Sequence, residues 1–156
     1  MTTISFDLGG AVGIAIDTAA GLELITLDYR NFTIGAMATR FEGRLRELIC
    51  VHAPDLIAYE EPIGMFSKPG KGAAVHAHRV YGQAVLIQKL AYNAEIDTAA
   101  YNVSRVRKKF AGSGRATPDA ILKAAYKIGA EPADEHQADA VLIHRASLTN
   151  LQISLL

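Results

Sequence analysis

The sequence predicts a single α/β domain on a five-stranded mixed sheet, with the first three strands antiparallel and helices flanking the sheet. Residues 3–8, 11–17 and 22–30 are short and rich in Ile, Val, Leu and aromatic side chains, and Gly9-Gly10 and Ala19-Ala20-Gly21 punctuate them. They read as consecutive strands joined by tight turns. Beyond them, stretches of helical period alternate with short apolar runs, the pattern of helices packed on a sheet. At 156 residues the chain has the usual size of one domain and can bury a real core.

Each later element has its own signal. Phe41, Leu45, Leu48, Ile49 and His52 share one helical face, opposite Arg40, Arg44 and Glu47, which predicts an amphipathic helix on the sheet. Pro54 stops it, and Asp55 to Glu60 forms a compact apolar strand. Residues 64–72, GMFSKPGKG, carry three glycines, a proline and two lysines without an apolar period and read as a loop. A helix from about Ala73 to Tyr92, a strand around Ala94 to Ala99 and a polar segment from Tyr101 to Gly114 follow. Thr117-Pro118 supplies an N-cap and a first-turn proline for the next helix. The last helix begins after Pro132, with Asp134 or Glu135 near its positive end, and runs to about Asn150. No repeat or linker divides residues 1–156.

Composition narrows the class. Half the residues are hydrophobic and 21% are charged, as in ordinary globular proteins. Sixteen basic and sixteen acidic side chains cancel, so any affinity for nucleic acid rests on charge segregation. The one cysteine, Cys50, excludes an internal disulfide and a Cys-rich zinc site. With no basic region ahead of a long apolar stretch at the N-terminus and no run of the ~20 apolar residues a span needs, a cytoplasmic protein is expected.

The chemistry-bearing residues sit at element ends. Asp7 closes the first apolar run, Glu60 closes the fourth, and His136 and Asp139, three apart, share one face at the start of the last helix. Taken singly, an Asp before glycines also caps turns, and an acidic pair at a strand or helix end is also an ordinary solvated feature. Jointly, carboxylates at the ends of neighbouring elements converge in a sheet protein, and oxygen ligands of this type suit Mg²⁺ or Mn²⁺. Glu60 is preferred to Glu61 as a ligand because strand side chains alternate.

These motifs, in this order, resemble the ribonuclease H-like fold and, within it, the RuvC-type Holliday junction resolvases. Asp7-Leu8-Gly9 resembles the family's Asp-x-Gly on the first strand, and Glu60 its single glutamate after a hydrophobic strand. Tyr81-Gly82-Gln83-Ala84 resembles the Gly-Gln-Ala helix. Val106-Arg107 with Gly112-Ser113-Gly114 and Ala116 resembles the basic segment before the penultimate helix, and His136-Gln137-Ala138-Asp139-Ala140 the acidic or His-containing motif of the last. The resemblance implies a homodimer that nicks four-way or other branched DNA in a bacterial or phage-infected cell, with two Mg²⁺ or Mn²⁺ ions per site. Asp7 would be shared by both ions, with Glu60 and Asp139 on either side and His136 as ligand or nearby base. The chain departs from the family twice. Pro118 stands where a second catalytic lysine is often found, which leaves Arg107, Lys108, Lys109 or Arg115 to meet transition-state charge. Ile63 replaces an aromatic wedge, with Phe66 the nearest aromatic.

Independently of the family, Arg105, Arg107, Lys108, Lys109 and Arg115 form a basic run without an acid. It reads either as phosphate contacts, each adding roughly 0.9 to the salt slope of affinity, or as a solvated charged loop. Lys68 and Lys71 in the glycine loop would add backbone contacts near the site. Gly70-Lys71-Gly72 fails as a phosphate loop of ATPases, because Gly72 replaces the required hydroxyl residue. His76 and His78, two apart on a helix, are poorly placed for joint ligation and read as surface. A non-catalytic nucleic-acid-binding factor and a small actin-like phosphotransferase remain as alternatives to the nuclease.

Overall fold

The computed structural model describes residues 1–62 and 72–149. Its elements run β1 (Thr3–Asp7), β2 (Ala11–Thr18), β3 (Gly21–Asp28), α1 (Ile34–His52), β4 (Leu56–Glu60), α2 (Ala73–Asn93), β5 (Asp97–Tyr101), α3 (Val103–Ala111), α4 (Pro118–Lys127) and α5 (Glu135–Leu148). The strands form one sheet in the order β3-β2-β1-β4-β5. β1, β2 and β3 pair antiparallel, and β4 joins β1 and β5 in parallel. The five-stranded mixed sheet expected from the sequence is present.

Strand alternation gives the sheet two unlike faces. Ile4, Phe6, Ile14, Ile16, Ile57 and Tyr59 point toward α1 and α2, where they meet Met37, Phe41, Leu45, Leu48, Val80 and Ile87 in one cluster. Ala15, Ala58 and Ala99 point the other way, under Ala138, Val141, Leu142 and Ala146 of α5, which α3 and α4 cover in turn. Small side chains on both partners let α5 lie close to the sheet. The approach is close at Gly13, where an added Cβ would stand 1.8 Å from the carbonyl oxygen of His136. Gly13 pairs with Asp7 across the β1–β2 ladder, so this contact delivers the start of α5 to the end of β1.

Three elements differ from their sequence expectation. α1 begins at Ile34, capped by the Thr33 hydroxyl, well before the periodic stretch that announced it. β5 runs from Asp97 to Tyr101, three residues beyond the expected start, because the α2 C-terminus takes up the preceding residues and Glu95 there adopts a left-handed φ of 56°. The segment from Tyr101 to Gly114, expected only to be polar, contains α3. Asn102 caps it by accepting from the Arg105 N–H at 3.0 Å, Gly112 ends it at φ 83°, and Val106 is its buried anchor. Its four cations masked the amphipathic pattern. Lys68, Lys71 and Phe66 lie outside the described residues, as does Ile63.

Among the described residues no helix is long and apolar enough to cross a membrane.

Candidate active site

At the C-terminal ends of β1 and β4, a cleft of about 610 Å³ is lined by Asp7, Glu60, Arg107, His136 and Asp139, together with Arg30, His76, Arg79 and Glu135. The floor follows from register. Asp7 continues the parity of Thr3 and Ser5 and Glu60 that of Ala58, so both carboxylates leave the sheet on the α5 side. Backbone bonds hold both positions. Glu61 N–H donates to the Tyr101 carbonyl at 2.8 Å just past Glu60, and the Leu8 N–H donates to the Glu60 carboxylate. The turn after Asp7 is clamped by Gln83, whose side chain accepts from the Gly9 N–H and donates to the Gly9 carbonyl, both at 2.9 Å. Gln83 is fully buried, so these bonds face no competition from water.

α5 brings the third carboxylate. Asp134 caps the helix by accepting from the Gln137 N–H at 2.9 Å, and the Thr26 hydroxyl of β3 donates to the same carboxylate at 2.6 Å. Gln137 accepts in turn from the Ala133 N–H at 2.8 Å, a reciprocal arrangement close to a capping box. With its start fixed, α5 presents His136 and Asp139 to the cleft. His136 Nδ1 donates to Asp7 Oδ2 at 3.1 Å. Asp139, only 1% exposed, is gripped by both arms of Arg107, with Nε to Oδ1 at 2.9 Å and Nη2 to Oδ2 at 2.5 Å. Such planar bidentate pairing is the strong form of this interaction.

The electrostatics show a surplus of negative charge. Burial, reinforced by Asp7 and Asp139, pushes the Glu60 carboxyl up to about 8, against the opposing pull of the Leu8 N–H and Arg107. Burial also raises Asp7, to about 6, although the His136 bond opposes it. The Asp7 bond raises His136, and Asp139 raises Arg107. Three neighbouring carboxylates, two of them reluctant to ionise, are the donor chemistry a divalent cation satisfies. Yet among the described residues no three His, Cys, Asp or Glu side chains gather into a ready-made metal cluster. Asp139 is paired with Arg107, and Asp7 with His136.

Of the sequence-predicted site, Asp7, Glu60, His136, Asp139 and Arg107 therefore come together. The rest of the basic run does not join them. Arg105, Lys108 and Lys109 lie on the exposed side of α3, and Arg115 lies exposed beyond it. Lys109 packs over the Phe110 ring at 5.4 Å and borders a separate hollow with Lys123 and Lys127. Sequence reasoning did not assign Gln83, Arg30 or Arg79 a place at the site, and it set His76 aside as surface; His76 is exposed but lines the cleft. Another constellation is structural. His144 Nε2 lies 3.3 Å from Asp17 and Nδ1 3.4 Å from Ser5 Oγ. This serine–histidine–aspartate chain pins α5 to the sheet, and its fully buried serine is closed to any substrate.

No family model matches the chain, and no curated protein matches it. The architecture is a ribonuclease H-like fold, and solved structures share that fold over nearly the whole length. The structure of Thermus thermophilus RuvC is similar at TM-score 0.67 and 19% identity, covering 96% of this chain and 97% of that one. T. thermophilus RuvC in complex with a Holliday junction substrate gives 0.72 and 19%, over 98% and 96%. The yeast mitochondrial Holliday junction resolvase gives 0.57 and 11%, over 90% and 75%. The chain thus has the fold of the RuvC-type resolvases.

Proposed function

We propose that the protein is a Mg²⁺- or Mn²⁺-dependent endonuclease that resolves Holliday junctions and other branched DNA, acting in the cytoplasm as a homodimer with one cut from each protomer. The observation that carries this reading is the gathering of Asp7, Glu60 and Asp139 from three elements into one cleft walled by Arg107, in a fold shared with junction resolvases. Asp7, Glu60 and Asp139 would hold the metal, with His136 as ligand or adjacent base; two such ions supply an activated water and stabilisation of the leaving 3′ oxygen. The protein's own contribution is positional. Gln83 and the Leu8 N–H fix the Asp7–Glu60 floor, and His136 orients Asp7. Arg107 brings a permanent positive charge to the place where phosphate charge must be met. No covalent nucleophile is required.

A second reading has its own support. With Asp139 paired to Arg107 and Asp7 to His136, two of the three carboxylates already have a partner in the protein, which suits a factor that binds branched DNA without cutting it. A synthetic four-way junction and a linear duplex of the same sequence, each incubated with Mg²⁺ and the parent or Asp7→Asn protein, separate the two. Symmetric nicks on the junction alone, lost in the variant, are expected. Tight junction binding without nicks by either protein favours the second reading, and equal cutting of the linear duplex contradicts junction selectivity.

A further inference from the structure

The cleft has a second cationic wall, which reaches it from the opposite face of the sheet. Arg107 arrives from the α3–α5 layer, whereas His76 and Arg79 project from α2, one helical turn apart. They close over the bare backbone of the Gly9–Gly10 turn. A Cβ on Gly9 would stand 3.3 Å from the His76 ring, and one on Gly10 would stand 2.9 Å from Arg30 Cγ and 3.3 Å from Arg79 Nη1. The two glycines therefore leave room for neighbouring side chains within a few residues of Asp7.

The two arginines on this wall differ in their charge balance. Arg30 is neutralised by Asp28, with Nε to Oδ1 at 2.9 Å and Nη2 to Oδ2 at 2.5 Å. Arg79 is held only by carbonyls: its Nη2 donates to Arg30 O at 2.9 Å and to Phe32 O at 3.3 Å. Its Nε is buried with no hydrogen-bond partner, and no carboxylate among the described residues pairs with it. A guanidinium fixed by neutral groups keeps its full charge and has little ordering entropy left to lose. A cation arranged in this way, at the edge of an acidic cleft, selects an anion that spans from one wall to the other.

We propose that Arg79, flanked by His76 and Arg30 over Gly9–Gly10, is a second phosphate seat that binds a backbone phosphodiester of the DNA strand whose neighbouring phosphate lies at the carboxylates. This rests on the nuclease reading and adds to it a contact from the α2 layer. Arg79 then acts as a binding residue that sets the strand's path across Asp7, while Arg107 meets the phosphate from the other side.

The test is junction binding in EDTA, so that no strand is cut, with affinity followed against salt concentration. Arg79→Gln keeps donors for the two carbonyls but loses the charge, and its log–log salt slope is expected to fall by about 0.9, the value of one phosphate contact. Arg79→Lys keeps the charge and should retain the slope. Arg46→Gln, on exposed α1 where Arg46 pairs with Glu42, should leave it unchanged. Replacing junction phosphates one at a time by neutral methylphosphonates should weaken the parent at a particular phosphate to which Arg79→Gln is indifferent, an outcome that misfolding cannot imitate. If the parent binds and nicks the junction while Arg79→Gln retains the full slope and the parent's methylphosphonate pattern, the seat is overturned and the nuclease reading stands. A parent protein that does not bind the junction overturns both.

Discussion

Toward α1 and α2 the sheet presents Ile4, Phe6, Ile14, Ile16, Ile57 and Tyr59; toward α5 the same strands present Ser5, Asp7, Gly13, Ala15, Ala58 and Glu60. One set is large and apolar but for the Tyr59 hydroxyl, which accepts from Gln88; the other is small or polar. The large face follows the ordinary logic of a core, in which stability grows with apolar area removed from water. The small face gives up much of that area to bring a helix backbone down onto the strands, and so sets Asp139 and His136 beside carboxylates at the strand ends. The bulkiest core side chains of this five-stranded sheet lie on one face, and the carboxylates of the candidate site lie on the other.

The two faces should respond most differently to a change at Gly13. Gly13→Val would drive a branched side chain into the His136 carbonyl, so α5 must lift from the sheet. We expect a loss of at least ~3 kcal/mol in urea unfolding, together with loss of nicking. On the other face, Leu45→Ala removes a 1%-exposed side chain and should cost ~2–5 kcal/mol. Its nicking rate, measured well below the melting temperature, should stay within about twofold of the parent; a large drop would mean that the faces are not separable. Gln83→Leu lies between these cases. It leaves the Gly9 N–H and carbonyl buried without partners, a cost of ~1–3 kcal/mol, and it frees the Asp7 turn. Nicking should therefore fall further than in a core variant of equal stability.

A smaller effect is set by pH. The folded-state affinity of Glu60 for its proton is raised from 4.5 to about 8, so its contribution to stability is fully present below about pH 4.5 and is lost as the pH climbs through about 8. Glu60→Gln, which cannot ionise, should melt above the parent at about pH 9, by something on the order of 1–3 kcal/mol, with the gain vanishing on the acid side. Equal melting temperatures at alkaline pH would show that the Glu60 charge is relieved in the folded protein.

How legible each part was follows from where its signal lies. Asp7, Glu60, His136 and Asp139 stood out because each ends or begins an element whose periodicity is strong, and elements in this order meet at one edge. The Gly13–His136 contact left no local trace, since a glycine within an apolar strand names no partner distant in sequence. α3 was hidden by four cations in nine residues, although Asn102, Gly112 and the Val106–Phe110 spacing mark its cap, end and inner face. Gln83 carried a usable sign: it is a polar residue on the same helical stripe as Val80, Ala84 and Ile87. The lone charge of Arg79 was invisible, because pairing is a property of folded space and Arg30 and Arg79 look alike as letters.

Metal-dependent cleavage at the carboxylates is measured by the rate of single-turnover nicking of a four-way junction, titrated with Mg²⁺, for the parent and for Glu60→Gln. The parent is expected to cut two opposed strands with a rate that saturates in Mg²⁺, and the variant to be slower by on the order of 10² or more. Nicking by the parent that persists unchanged in EDTA, or a variant as fast as the parent, would contradict it.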